Sequence, residues 1–242
     1  MARKPFNWSL LTRDSLYSML YKAGKDIVDQ KLTVEELQSI LSRHIKQHLP
    51  IKVRMDRAPD TTEKYVFIGG TYYSFEDKKG SARYIEVIFS YNTFAETIKL
   101  SRHKWTRMCQ LFADTILHEV IHCRQYRARN FKAIPGYEST AYYAKDRKEQ
   151  EYYGDTDEMG AHSFNIACEL FERFGDDFGA AAQYLDSDNY KRHKRTGWFR
   201  YMKTFEHDHN HLIIRRMKRK ILNQLPYAQI GKPFRTTNHL TY

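Results

Sequence analysis

The chain has 242 residues, of which 41% are hydrophobic and 14% aromatic, and this composition excludes a wholly disordered protein. No stretch approaches the roughly 18 uninterrupted apolar residues that a membrane span needs, and Arg13 and Asp14 interrupt the first segment before the apolar part of a secretory signal could form. The formal net charge is +11, and the positive excess lies in residues 191–242, where Glu206 and Asp208 are the only acidic residues.

Two helices are predicted within residues 1–50. Apolar residues near the start recur at helical spacing, beginning at Leu16. Thr33 and Glu36 stand three apart in the pattern of a capping box, which predicts that a second helix begins after Thr33 and runs toward Pro50. We interpret both helices as scaffold.

Strand-like runs follow the two helices, at 51–55, 65–75 and 82–91. The last two are separated by a turn-rich segment, which favours a hairpin. These runs predict a small antiparallel sheet within residues 51–92.

The clearest helical pattern lies between His103 and Tyr126, where apolar residues recur without a glycine or proline. It contains an H-E-x-x-H motif, formed by His118, Glu119 and His122. Residues four apart on a helix of about 3.6 residues per turn leave the same face, so both imidazoles can bind one ion. Zinc favours four ligands, and two histidines with a third protein ligand leave one position for water. Glu119 would then take a proton from that water and return it to a leaving amine.

An alternative for this motif is an amphipathic helix with two surface histidines that bind no ion. Val120 and Ile121 argue against it, because they surround the motif with apolar side chains. Burying two imidazoles and a carboxylate without a shared ligand would be costly, so the sequence favours a metal.

A third ligand is predicted in the segment 151–171, which reads as a second helix with Asp155 as its N-cap. Glu158 is the first candidate, and its alternative role is the acidic member of a capping box with Asp155. His162 lies four residues later on the same face, so it is either the ligand itself or a hydrogen-bond partner of the ligand. The metzincin pattern is excluded, because it would require glycine and histidine where this chain has Gln125 and Ala128.

The segment ILHEVIHCRQY, followed some thirty residues later by YYGDTDEMGAH, resembles the zinc metallopeptidases of tailed phages, which are broadly of the gluzincin type. The likeness covers about residues 112–170. It implies a zincin fold with His118, His122 and Glu158 as zinc ligands, Glu119 as the catalytic base and Gln125 as a supporting residue. Asp157 departs from the family's pattern, which often has proline before the glutamate. By analogy with zincin folds, we also expect 82–91 to be an edge strand that pairs with an extended substrate.

The predicted organisation is an α+β, mainly helical zincin-like metallopeptidase domain over residues 1–190, followed by a basic, helical C-terminal extension over 191–242. Within the domain we expect the N-terminal helices at 1–50, the sheet at 51–92 and the metal-binding helices at 103–175. Cys109, Cys123 and Cys168 are odd in number and unpaired in spacing, which indicates a reducing compartment. We therefore expect a cytoplasmic protein, in the host cytoplasm if its origin is a phage.

The expected function is zinc-dependent hydrolysis of a protein or peptide substrate. One alternative is a SprT-like protease that acts on proteins bound to DNA, with residues 191–242 bound to nucleic acid or another anionic surface. The chain lacks the H-G-x-x-F-like region expected there. A second alternative is a structural or inhibitory phage protein in which zinc only holds two helices together.

Two further groups of polar residues have weaker functional interpretations. A tyrosine between the two metal-binding helices is a candidate to stabilise an oxyanion, but packing is the commoner role; the candidates are Tyr137, Tyr142, Tyr143, Tyr152 and Tyr153. His207, His209 and His211 alternate with polar residues, which would suit a second metal in an extended chain, although we favour a structural role.

Overall fold

A computed structural model describes residues 6–57, 67–91 and 97–228. The chain forms two compact units, one that ends at Phe131 and one that begins at Lys132. The described residues confirm an α+β protein in which helices predominate and the sheet is small. None of the described helices combines the length and the apolar character that crossing a membrane requires.

The first unit alternates short helices with strands and ends in one long helix. After a 3-10 turn at Trp8–Leu10, its elements are α1 (Arg13–Tyr21), α2 (Gly24–Ile27), β1 (Lys31–Leu32), α3 (Val34–Lys46), β2 (Lys52–Arg57), β3 (Phe67–Tyr72), α4 (Ser74–Lys78), β4 (Ile85–Tyr91), β5 (Ile98–Lys99) and α5 (Arg102–Ala128).

The predicted capping box at the start of α3 is confirmed. The Glu36 N–H donates to the Thr33 hydroxyl at 3.2 Å, and the Thr33 N–H donates to the Glu36 carboxylate at 2.8 Å. Both otherwise unpaired amides at the helix start are thereby satisfied. The opposite face of α3 buries Leu37, Leu41 and Ile45 completely, at the spacing expected of an amphipathic helix.

The sheet differs from the antiparallel prediction, because it is mixed. Its strand order is β2-β4-β3, with β2 parallel and β3 antiparallel to β4. The strand predicted at 82–91 begins at Ile85, and it is the central strand of this sheet rather than an edge. β4 buries Ile85, Val87 and Phe89 completely. A strand with a fully buried apolar face suits the centre of a sheet better than its edge. A strand paired on both sides cannot accept a substrate strand.

The other strands also differ in detail from the sequence pattern. β3 occupies part of the predicted run at 65–75, of which residues 65 and 66 lie outside the described residues. The turn-rich segment before β4 contains α4, a short helix followed by a turn at Gly80. β1 and β5 form a separate antiparallel pair.

α5 begins at the N-cap Ser101 and confirms the helix predicted between His103 and Tyr126. Trp105, Phe112 and Ile116 are fully or almost fully buried along it. The helix therefore lies in the core of the first unit, and its backbone is fixed by apolar packing on several sides.

The C-terminal end of α5 is held by a buried carboxylate from α4. Both Nε and Nη2 of Arg127 donate to Asp77, at 2.9 and 2.6 Å, and the Tyr72 hydroxyl donates to the same carboxylate at 2.7 Å. The Cys123 thiol also lies against Asp77, at 3.6 Å, and burial raises the pKa of this thiol to about 12. A bidentate pair with a buried carboxylate fixes the direction of the helix end.

The regular elements among the described residues of the second unit are all helices. Its elements are α6 (Ala144–Gly154), α7 (Thr156–Phe174), α8 (Phe178–Asp186), a 3-10 turn at Asp188–Arg192, α9 (Gly197–Thr204), α10 (Leu212–Gln224) and a 3-10 turn at Leu225–Tyr227.

The predicted boundary after residue 190 does not coincide with the division between the two units. α9 and α10 carry much of the positive charge of the segment 191–242, yet they supply core side chains to the second unit; Trp198, Tyr201, Met202, Ile213, Ile214, Met217 and Ile221 are buried. The basic residues cover the surface of helices whose other face is apolar. Residues 229–242 of the predicted extension lie outside the described residues.

Candidate metal centre

The H-E-x-x-H motif lies on the buried part of α5. His118, Glu119 and His122 are 9%, 6% and 8% exposed. The two imidazole rings are one helical turn apart, with their centroids 4.8 Å apart and their planes almost perpendicular. Their Nε2 atoms face each other at 3.1 Å. The helix therefore aims two potential ligand atoms at one point.

This separation suits a shared metal ion. Zinc binds imidazole nitrogen at about 2.0–2.1 Å in a tetrahedral site, so two such nitrogens lie about 3.3 Å apart when they share the ion. The observed 3.1 Å between the Nε2 atoms of His118 and His122 is close to that value. The side chains thus need little rearrangement to accept a cation.

Gln125 contacts one of these rings. Nδ1 of His122 lies 3.1 Å from the Gln125 amide oxygen, which can only accept a hydrogen bond. In the tautomer that donates through Nδ1–H to this oxygen, the lone pair is on Nε2. Hydrogen bonds of this kind orient metal-binding histidines and set their tautomer.

The predicted helix that carries Glu158 is α7, and the predicted N-cap is confirmed. The Asp155 carboxylate accepts from the N–H groups of Asp157 and Glu158, at 2.8 and 3.3 Å. The Asp155 N–H donates to two carbonyl oxygens of α6, those of Glu151 and Tyr152. It is therefore already satisfied without Glu158, which argues against the capping-box role for that carboxylate.

His162 lies beside Glu158, one turn further along α7. Its Nε2 is 3.6 Å from Oε2 of Glu158 and 3.3 Å from the Tyr152 hydroxyl. The ring also packs against Tyr153 and Tyr201, with centroids 5.4 and 5.8 Å away. His162 is thus placed to orient the Glu158 carboxylate within a group of aromatic side chains.

Tyr201 is the member of this group that the sequence interpretation missed. It lies on α9, within the segment assigned to the basic extension, and is 1% exposed. Burial first, and then the negative charge of Glu158, raise the pKa of Tyr201 well above its ordinary value. Its phenol therefore stays neutral beside the carboxylate. The helical spacing of Trp198, Tyr201 and Phe205 was the signal that a buried helix lay here.

The three predicted metal-binding residues lie on two helices that belong to different units. His118 and His122 present their Nε2 atoms to each other on α5, whereas Glu158 lies in the first turn of α7. Two imidazoles and a carboxylate are a ligand set that zinc accepts in catalytic sites.

The structure also describes the tyrosines considered for oxyanion stabilisation and the histidines considered for a second metal. Tyr142 and Tyr143 are 94% and 70% exposed, whereas Tyr137 packs against Phe205. The histidines of the 207–211 run have separate roles, as favoured from the sequence. His207 contacts the Tyr190 hydroxyl through Nδ1, His209 lies 3.8 Å from Asp188, and Nδ1 of His211 accepts from the N–H of Ile213 at the start of α10.

Comparison of the chain with family profiles, with curated proteins and with solved structures found no match. The function must therefore be inferred from the side chains of this chain and from their chemistry. The class they define is an α+β protein with two facing histidines on a buried helix.

Replacing Gln125 with alanine tests the role of this amide. The substitution removes the amide oxygen that Nδ1 of His122 contacts and that orients the ring, so we expect zinc affinity to fall by about 10–100-fold. Competition with a chromophoric chelator measures this. Gln110→Ala is the matched control, because Gln110 accepts from Arg107 on an exposed part of the same helix. Equal zinc affinity in the wild type and Gln125→Ala would show that the contact is unimportant.

Proposed function

We propose that the chain is a zinc-dependent peptidase. The observation that carries the proposal is the approach of two buried imidazoles on α5, with their Nε2 atoms 3.1 Å apart. Polar rings in a core need partners, and a shared cation would satisfy both at once. The acidic residue between them in the motif adds the group that hydrolysis requires.

His118, His122 and Glu158 would hold the ion in this proposal. Bound zinc would supply a Lewis acid that polarises a peptide carbonyl and lowers the pKa of a coordinated water. With three protein ligands, one position stays available for that water. The contact of His122 Nδ1 with the Gln125 amide oxygen supports this arrangement, because donation through Nδ1–H puts the lone pair of the ring on Nε2, the atom that would bind the metal.

Glu119 would move the protons of the reaction. Its carboxylate would accept a proton from the attacking water and later donate it to the leaving amine. The residue is 6% exposed, and a carboxylate shielded from bulk water transfers its proton to the reacting groups rather than to solvent.

Glu158 would complete the site, with His162 as the residue that orients it. The 3.6 Å between His162 Nε2 and Glu158 Oε2 supports this division of roles. The α7 N-terminus also favours a negative charge in its first turn, where Glu158 lies. In this proposal the protein is of the gluzincin type, with a zincin-like fold, and acts in the cytoplasm on a protein or peptide.

Substitution of Glu119 by glutamine separates catalysis from metal binding. Glutamine has nearly the same shape but cannot take up the proton, so we expect hydrolysis to fall by about 10²–10⁴-fold while zinc content stays unchanged. The probe is denatured casein carrying fluorescein, and zinc is measured on the same preparation by elemental analysis.

Glu158→Gln is the complementary variant, and it should lose zinc to a chelator that does not strip the wild type. A wild type that binds zinc but does not cleave casein or any unfolded peptide pool would instead favour the structural or inhibitory alternative. Full hydrolytic activity in Glu119→Gln would contradict the assignment of the base.

The surface of α10 favours one second candidate, a peptidase that acts on nucleic-acid-bound proteins. Arg215, Arg216 and Arg219 are exposed, and within the described residues no ion pair involves them. Lys218 on the same helix differs, because it pairs with Asp186. A helix face with several unpaired cations and no acidic residue suits phosphate better than it suits solvent alone.

Alanine substitution of these three arginines tests that candidate. If they contact phosphates, a plot of log affinity against log salt for a labelled DNA duplex should become shallower by up to about 2.7. Fluorescence anisotropy measures the affinity. The control variant carries alanine at Lys22, Lys25 and Lys31, three exposed lysines of the first unit. Identical salt dependence in all three proteins would count against nucleic-acid binding through α10.

A further inference from the structure

The backbone of β3 approaches the side chain of Glu119 very closely at Gly70. A Cβ atom added to Gly70 would lie 2.6 Å from Oε1 and 2.7 Å from Cγ of Glu119. It would also lie 2.7 Å from Cγ2 of Thr115, which precedes Glu119 by one helical turn. Real Cβ atoms do not come this close to other heavy atoms. The φ of Gly70 is not in the left-handed region. It is therefore the lack of room for a side chain, and not the backbone conformation, that favours glycine at this position.

The neighbouring glycine does not share this constraint. A Cβ added to Gly69 would have nothing within 4 Å. Successive residues of a strand point to opposite faces, so Gly70 faces α5 and Gly69 faces away from it. The register with β4 places Gly70 opposite Val87 and Gly69 opposite Ile88. Of these two β4 residues, Val87 is the buried one, so Gly70 lies on the buried face of the sheet.

A side chain at position 70 would displace Glu119 rather than the helix. The backbone of α5 is fixed by buried neighbours such as Phe112 and Ile116. The carboxylate of Glu119 is the end of a flexible side chain, so it is the group that moves most easily. The Thr115 methyl group closes the other side of the same space.

We infer that Gly70 is a positioning residue for Glu119, because the absent side chain leaves the space in which the carboxylate rests. Gly70 and Thr115 together confine the Glu119 side chain between β3 and α5. This inference rests on the proposed function where it concerns catalysis, since Glu119 is the proposed base. The confinement itself is a matter of packing, and it does not depend on whether the chain is a peptidase.

The catalytic part is tested by comparing Gly70→Ala with Gly69→Ala. A displacement of a catalytic group by about 1 Å costs on the order of 100-fold in rate. We therefore expect kcat for casein hydrolysis to fall about 10–100-fold in Gly70→Ala, with KM and zinc content unchanged. Gly69→Ala should keep all three values. Loss of zinc together with activity in Gly70→Ala would overturn the inference, because it would mean a general disturbance of the site.

The packing part is tested by a double-mutant cycle that needs no activity. In the wild-type background Gly70→Ala should lower Tm by about 3–6 °C. In a Glu119→Ala background part of that loss should disappear, because the two close contacts with Glu119 have been removed and the contact with Cγ2 of Thr115 remains. An equal loss of Tm in both backgrounds would overturn the inference even if the chain proves to be a peptidase. A clear coupling without any peptidase activity would leave the packing inference standing and reject the proposed function.

Thr115→Ser provides a second route if Gly70→Ala does not fold. This substitution removes the Cγ2 methyl and keeps the hydroxyl, so it opens space into which the Glu119 side chain can shift. We expect Gly70→Ala with Thr115→Ser to recover folded protein with a higher Tm than Gly70→Ala alone. Failure of the serine to improve folding or Tm would contradict the confinement of Glu119 between Gly70 and Thr115.

Discussion

The rest of this site depends on two imidazole side chains that face each other on the buried part of one helix. His118 and His122 have Nε2 atoms 3.1 Å apart, and both residues are at most 9% exposed. Polar groups withdrawn from water need compensating partners, and a bound cation is a partner that both rings can share. The contact of His122 Nδ1 with the Gln125 amide oxygen at 3.1 Å favours the same interpretation, because a ring that donates through Nδ1–H carries its lone pair on the facing nitrogen. The proposed roles of Glu119 and Glu158 both depend on a cation bound by these two rings.

The surrounding fold restricts the movement of each proposed functional side chain. α5 is packed into the core along its length, and the Asp77 carboxylate holds its far end through Arg127 and Tyr72. α7 begins where Asp155 caps it, which fixes the turn that carries Glu158. β3 passes so close to Glu119 that only glycine fits at position 70. Preorganisation of this kind is what catalysis by positioned groups requires, because little reorganisation is then left for the reaction itself.

Local patterns in the sequence predicted the helices well. The Thr33–Glu36 capping box, the Asp155 N-cap and the apolar spacing of α5 are short-range features, and the structure confirms each of them. Pairing of strands is a long-range property, so alternating runs did not reveal that β4 is central and parallel to β2. The net charge of residues 191–242 led to the prediction of a basic extension. The apolar face of α9, which buries Tyr201, was therefore not recognised as part of a core. The space at Gly70 could not be predicted, since it depends on a strand and a helix that are distant in sequence.

The most direct measurement of the central claim is the metal content of the purified protein, combined with X-ray absorption at the zinc edge. The account predicts one zinc per chain, with two imidazole nitrogens at about 2.0–2.1 Å and oxygen as the remaining neighbours. A folded protein that binds no zinc, or a zinc surrounded by sulfur, would contradict it.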